Sequence, residues 1–108
     1  MASYLFEVGY TSDALAALVA DPQDRVKIVS AAVKKLGGKI TGFWFSFGDY
    51  DIIGIIEMPD NISMAALSMA IGAGGACAAV KTTPLMSVAD GIAAMKKAST
   101  CGYKPVGS

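Results

Sequence analysis

The sequence contains no histidine and only one arginine, Arg25. Histidine is the usual general acid or base near neutral pH and the commonest metal ligand. Its absence therefore excludes a histidine-dependent catalytic triad and a histidine-ligated zinc or iron site. Nine basic and nine acidic side chains cancel to a formal net charge of zero. Without an excess of positive charge, we expect no nucleic acid and no anionic membrane among the partners.

Cysteine is also scarce, with only Cys77 and Cys101 in the chain. Neither belongs to a C-x-x-C motif or to another spacing typical of metal ligands. We expect both to be free thiols in a reducing cytosol, and we expect no cofactor. A nucleophilic role for either thiol is the weaker alternative, because no histidine is present to activate it.

No segment is typical of a membrane span or of a secretory signal. Twenty residues from Asn61 to Val80 carry no charge, which is the length of a span. Alanine, glycine and serine make up more than half of them, however, and these small residues drive insertion into lipid only weakly. Residues 1–10 lack the basic start and the long apolar run of a signal peptide. By default, we expect a cytoplasmic protein.

The chain is rich in apolar side chains for its length. Its 108 residues are 54% hydrophobic, and a chain of this length forms one domain with one small core. An excess of apolar side chain is normally hidden in a subunit interface, a ligand cavity or a bilayer. Since the composition disfavours the bilayer, an interface and a cavity are the two expected destinations.

Hydrophobic periodicity and capping residues predict strands and helices along the chain. Asp21 and Pro22 are typical of a helix N-cap and first helical residue, so the second helix should begin there. Asp60-Asn61 and the capping box Ser87–Asp90 are typical of caps for the third and fourth helices. Isoleucine faces both ways at 52–56, which predicts a central strand, whereas Pro84 indicates an edge strand. The predicted strands cover 4–10, 39–47, 52–56 and 80–86, and the predicted helices cover 13–19, 22–36, 62–73 and 91–98.

This order is typical of an α+β ferredoxin-like βαββαβ sandwich with an extra C-terminal helix. We expect one domain over residues 1–98 and a loosely ordered tail over 99–108. Such a sheet has helices on one face only, yet alternate residues of the first three strands are apolar on both sides. Because a bare apolar sheet face is usually covered by a partner's sheet, we expect a homodimer or a higher homo-oligomer.

Several short motifs resemble the GYD-domain family of bacterial and archaeal proteins. They are Lys35-Leu36-Gly37-Gly38-Lys39, Gly42-Phe43, the hairpin Gly48-Asp49-Tyr50-Asp51, Pro59-Asp60, Pro84-Leu85 and Gly102-Tyr103-Lys104-Pro105. The resemblance covers roughly residues 3–105 and implies a ferredoxin-like fold of the dimeric α/β-barrel type. That wider group includes cofactor-independent monooxygenases, muconolactone-type isomerases and small-ligand binders, so it implies a fold without fixing one chemistry.

The polar residues of the predicted hairpin are the best candidates for catalysis. Tyr50 could donate a proton or bind an enolate oxygen, and Asp49 or Asp51 could act as a general base in an apolar cavity. Together they would suit isomerisation or oxygenation of an aromatic or enolisable compound without a metal or a flavin. Alternatively, the aspartates cap backbone amides and Tyr50 bridges the turn to an interface.

Four further residues are candidates for contact with a ligand. Trp44 and Phe45 belong to the aromatic strand that precedes the hairpin. Glu7 lies in the middle of a predicted strand, where it either lines a cavity or pairs with a lysine such as Lys81. Arg25 either remains solvated on its helix or anchors an anion through its planar guanidinium group.

We therefore expect a small homo-oligomer that binds a small apolar or aromatic organic molecule in a cleft near the hairpin. The rival hypothesis is a non-catalytic assembly or interaction module, in which the aromatic strands only pack subunits together. A polar-lined cavity near Tyr50 would favour the first hypothesis. A solid interface without a cavity would favour the second.

Overall fold

Four strands form one antiparallel sheet, accompanied by four helices, in the computed structural model, which describes residues 1–107. Residue 108 of the predicted tail lies outside the described residues. The strand order across the sheet is β2-β3-β1-β4, which confirms the α+β ferredoxin-like arrangement. The elements are β1 (Ala2–Tyr10), α1 (Ser12–Ala20), α2 (Val26–Lys35), β2 (Lys39–Phe45), β3 (Ile52–Met58), α3 (Asn61–Ala73), β4 (Cys77–Leu85) and α4 (Val88–Ala98).

The order of the strands agrees with two details of the sequence pattern. Strand β3 lies between β2 and β1, so the strand with isoleucine on both faces is central, as predicted. Strand β4 is at an edge, where Pro84 stands opposite Tyr4 of β1. Proline is tolerated at such a position because one side of an edge strand has no neighbour that needs its missing N–H.

The hydrophobic core lies between one face of the sheet and helices α2 and α3. Alternate residues of β1 and β3 point into it, as period-two strands require. All the core side chains are at most 4% exposed. They are Tyr4, Phe6 and Val8 of β1, Val33 of α2, Ile52, Ile56 and Met58 of β3, and Met64 and Leu67 of α3.

The opposite face of the sheet, which we call the open face, has an apolar centre. Strand register places Leu5, Ile53, Ile55 and Trp44 on it. The two central strands leave their open-face residues only half-buried. Its charged residues occupy paired positions: Glu7 stands opposite Lys81, and Lys39 forms an ion pair with Glu57 at 3.3 Å.

The capping predictions succeed for α3 and α4 and fail for α2. Asp60 accepts a hydrogen bond from the Ser63 amide at 2.8 Å, and Ser87 accepts one from the Asp90 amide at 3.1 Å. The predicted start of the second helix at Asp21 is wrong, because α2 begins at Val26. The amide of Asp21 instead bonds to Ala17 and ends α1. Aspartate side chains compete locally for backbone amides, and Asp24 binds the Val26 amide at 2.9 Å.

The C-terminal helix α4 is exposed along its length. None of its residues is fully buried, and Val88, Ile92 and Met95 present large apolar side chains to solvent. The chain is elongated, with a Cα radius of gyration of 17.4 Å, whereas a compact chain of this length has about 13 Å. Residues 99–107 are likewise exposed. Within residues 1–107, no helix combines the length and the apolar character that crossing a bilayer requires.

Candidate functional site

A cavity of about 450 Å³ lies between the core face of the sheet and helices α1, α2 and α3. This volume is within the range of about 300–1,000 Å³ that is typical of small-molecule sites. Side chains of β1 and β3, among them Phe6, Val8 and Ile52, form its base. Ile28 and Val29 of α2 contribute apolar walls, so most of the surface that a ligand would meet is hydrocarbon.

Small residues on the helices leave the space open. Ala14 and Ala17 of α1, Ala32 of α2 and Ala70 of α3 all line the cavity. A methyl group fills little of the gap between a helix and a sheet, and unfilled apolar space loses dispersion contacts. An apolar molecule in the cavity would supply the missing dispersion contacts and so stabilise the folded chain.

Polar side chains interrupt this lining where the ends of β1 and β4 meet the segment before α2. Tyr10, Gln23, Arg25 and Cys77 line the cavity there, and we call these four residues the polar end. The Nη1 atom of Arg25 donates a hydrogen bond to Oε1 of Gln23 at 3.1 Å. Because Gln23 is neutral, this contact orients the guanidinium group without cancelling its charge.

Burial and charge shift the titration of two polar-end groups. Desolvation raises the pKa of Tyr10, with smaller contributions in the same direction from Cys77 and Asp51, while Arg25 opposes the shift. Desolvation also raises the pKa of the Cys77 thiol, and Arg25 again opposes it. Both side chains are therefore neutral at neutral pH, so the thiol is not an activated nucleophile.

Asp51 ties the connection between β2 and β3 to the end of β1. Its Oδ2 atom accepts a hydrogen bond from the Tyr10 amide at 2.8 Å. Its own amide donates to the Val8 carbonyl at 2.8 Å. The hairpin carboxylate thus lies beside a residue of the polar end, with one oxygen engaged by backbone.

The other two hairpin candidates lie outside the cavity lining. Tyr50 is half-buried, and its carbonyl accepts a hydrogen bond from the Ser46 hydroxyl at 2.5 Å. Asp49 is exposed. Among residues 1–107, no three aspartate, glutamate or cysteine side chains come together in a way that would hold a metal ion.

The sheet separates two of the predicted ligand contacts from the cavity. Glu7 lies on the open face. The Trp44 ring, also on that face, lies over Gly42, where an added Cβ would come within 2.4 Å of a ring carbon. Phe45 is 69% exposed at the end of β2. Of the residues proposed from sequence, the structure brings Arg25 into the lining and Asp51 to its edge.

Sequence reasoning missed Tyr10 and Cys77 as cavity residues. A signal for Tyr10 was available, because it ends the alternating series of Tyr4, Phe6 and Val8 and so points to the same face of β1. Cys77 carried no comparable signal, since the irregular register between β1 and β4 near Gly9 decides its position. Which helices would border that face also depends on tertiary packing.

Comparison with known proteins agrees with the fold. The chain is similar to the crystal structure of TTHA0845 from Thermus thermophilus, with a TM-score of 0.54 and 12% sequence identity. The similarity covers 82% of this chain and 96% of that chain, and at this identity it shows the fold alone. The comparison with curated proteins found no match. The GYD-domain profile matches residues 4–95, which include nearly all of the four strands, and the chain therefore belongs to the GYD-domain family.

Proposed function

We propose that this GYD-domain protein is a homo-oligomer that binds a small apolar or aromatic organic molecule in the cavity between the sheet and helices α1 to α3. The observation that carries this proposal is the cavity of about 450 Å³ with its hydrocarbon lining. An engineered apolar cavity of about 150 Å³ binds benzene, so a space about three times larger accepts a molecule of more than one ring. The hydrogen bond from the Tyr10 amide to Asp51 supports the proposal, because it links the hairpin to a residue that lines the cavity.

Two unpartnered surfaces, the open face and the exposed side of α4, support the oligomeric part of the proposal. The charges of the open face form opposite-sign pairs within one chain, Glu7 with Lys81 and Lys39 with Glu57. A partner that covers this face therefore needs apolar surface more than compensating charge. A second copy of the same face has that composition, which favours a self-complementary interface between copies.

We include α4 in the proposed interface because the open face alone is small. Four strands about 4.8 Å apart, with about eight residues each at about 3.4 Å, give a face of roughly 500 Å². A stable interface buries about 800 Å² on each partner. The apolar stripe of Val88, Ile92 and Met95 on α4 is exposed and supplies further surface of the same kind.

In a catalytic form of this function, Asp51, Tyr50 and Asp49 would serve a cofactor-independent isomerisation or oxygenation. The position of Asp51 beside the polar end supports a role for its carboxylate. Glu7 and Trp44, on the open face, would meet a ligand only where two copies join. Tyr50→Phe and Asp51→Asn test this form, because folded variants that leave turnover of candidate substrates unchanged would remove it.

A matched pair of substitutions on α2 tests binding in the cavity. Ala32 and its neighbour Ala31 are both exposed, but only Ala32 lines the cavity. We expect Ala32→Trp to occupy the space and to weaken binding of the neutral fluorescent dye prodan at least about tenfold, which corresponds to about 1.4 kcal/mol. Ala31→Trp should bind the dye like the wild-type protein. Equal binding by both folded variants would contradict the assignment of the cavity.

The second candidate function is a non-catalytic assembly or interaction module, which the exposed α4 and the open face favour. In that case both surfaces serve association alone, and the cavity is incidental. Dye binding and subunit number, measured together for the wild-type protein and for Ala32→Trp, separate the two functions. A wild-type protein that assembles but shows no saturable dye binding would favour the module.

A further inference from the structure

We propose that the molecule bound in the cavity is a monocarboxylate with an aromatic or branched apolar body, and that Arg25 binds its carboxylate group. This inference rests on the proposed function and adds the chemical class of the ligand. Of the lining residues, all of which lie within residues 1–107, Arg25 alone carries a charge.

The guanidinium group of Arg25 has no anionic partner within the part of the chain that the structure describes. Across residues 1–107, the ion pair that the structure shows joins Lys39 to Glu57, and the side-chain contact of Arg25 is with neutral Gln23. Arg25 is itself half-buried. A partly desolvated cation at the edge of an apolar cavity gains more from an anionic ligand than a fully solvated surface cation does.

The positive charge of Arg25 influences two side chains that line the cavity, Tyr10 and Cys77. It lowers the pKa values of Tyr10 and Cys77 against the larger effect of burial, which places the guanidinium group within Coulombic reach of both side chains. Neutral Tyr10 also has a hydroxyl group that can donate a hydrogen bond. An anion at the polar end would thus meet a guanidinium fork and an additional donor.

Charge balance distinguishes a carboxylate from a phosphate. One guanidinium group neutralises one negative charge, and its planar fork matches the two oxygens of a carboxylate. A phosphate dianion would leave one charge unpaired close to Asp51, whose carboxylate is held at the Tyr10 amide. A neutral ligand would leave Arg25 unpaired. The polar end therefore matches a monoanion, and the apolar lining matches the rest of the molecule.

Three probes with the same naphthalene body test this assignment by isothermal titration calorimetry: 2-naphthoate, 2-naphthalenemethanol and 2-naphthyl phosphate. For the wild-type protein we expect 2-naphthoate to bind about tenfold more tightly than the alcohol, as a charge-assisted bidentate contact favours. It should also bind more tightly than the phosphate. Arg25→Gln should abolish the preference for the acid and leave the affinity for the alcohol nearly unchanged, which also shows that the variant is folded.

Two further variants serve as controls. Lys27→Gln removes one positive charge from an exposed position in the first turn of α2, two residues after Arg25, and should retain the full preference for the acid. Arg25→Lys keeps the charge without the planar fork and should retain a preference of about threefold. Should Arg25→Gln fail to fold, the comparison of Arg25→Lys with Lys27→Gln still decides the point, because only the former should reduce the preference.

The outcomes separate this inference from the proposed function. Equal affinities for the acid and the alcohol, or a preference that survives in Arg25→Gln, would overturn the carboxylate assignment and leave the apolar cavity as the binding site. Tighter binding of the phosphate would also overturn it. Failure of all three probes to bind the wild-type protein would overturn the proposed function itself.

Discussion

The substitution Ile55→Lys tests whether a second copy covers the open face. Ile55 lies in the central strand β3, opposite Leu5 of β1 and Gly42 of β2. It is half-buried within one chain. A lysine at this position can reach solvent in a free subunit, but in an assembly it would place an ammonium group at the centre of the interface.

The expected effect on association follows from burial and desolvation. Because neighbouring strands already cover most of Ile55, its loss at an interface removes only about 0.5 kcal/mol per copy. Desolvation of the ammonium group costs about 1–3 kcal/mol more, since the flexible side chain can partly reach water. In a two-fold dimer each cost is incurred twice, which gives about 3–7 kcal/mol. The dissociation constant should therefore rise by more than about a hundredfold.

Size-exclusion chromatography with light scattering measures this change as the mean number of subunits over a dilution series. Ile62→Lys is the matched control, because Ile62 is 82% exposed at the start of α3 and lies outside the open face. We expect Ile55→Lys to run as single subunits and Ile62→Lys to keep the wild-type mass. A folded Ile55→Lys variant with the wild-type subunit number at every dilution would refute coverage of the open face by a second copy.

Three further perturbations probe the core and the cavity. Leu67→Ala, at a core position that is 1% exposed and lines the cavity, should lower the free energy of unfolding in urea by about 2–5 kcal/mol; a negligible change would contradict its packing. Cys101 is exposed, whereas burial raises the pKa of the Cys77 thiol, so Cys101 should react faster with Ellman's reagent. Bound 2-naphthoate should slow the reaction of Cys77 and leave that of Cys101 unchanged. Burial also raises the pKa of Tyr10, so with rising pH the native state keeps the protons of the Cys77 thiol and the Tyr10 phenol longer than the unfolded chain does. The free energy of unfolding should therefore be unaffected by these groups below their ordinary pKa values of 9.0 and 10.0 and should fall at higher pH. The fall should be less steep in Cys77→Ser and in Tyr10→Phe, and an equal fall would contradict the reasoning.

Local patterns predicted much of the fold because they depend on neighbours in sequence. The alternation of Tyr4, Phe6 and Val8 predicted the strand and placed these side chains on one face, which the structure shows to be the core face. Asp60 and Ser87 were correctly predicted as capping residues, since a side-chain oxygen needs only an amide three residues away, although α4 begins at Val88, three residues before the predicted start. The start of α2 was harder, because Asp21 is used to end α1 and Asp24 makes the local contact near Val26.

The candidate site was less predictable because several separate elements build it. Arg25 precedes α2, Tyr10 ends β1 and Cys77 begins β4, and no pattern along the chain indicates that these residues share one cavity. Strand alternation could place Glu7 on the face opposite the core. It could not show which of the two faces would border an unfilled space, because that depends on how three helices pack against the sheet.

Native mass spectrometry of freshly purified protein measures the number of subunits and any retained small molecule in one experiment. We expect a species of two or more chains that carries additional mass, and release of that mass should yield an organic acid with an aromatic or branched apolar body. Ala32→Trp should keep the chain number and lose the additional mass. A single chain without additional mass, at concentrations where the protein is folded, would contradict both the assembly and the occupied cavity.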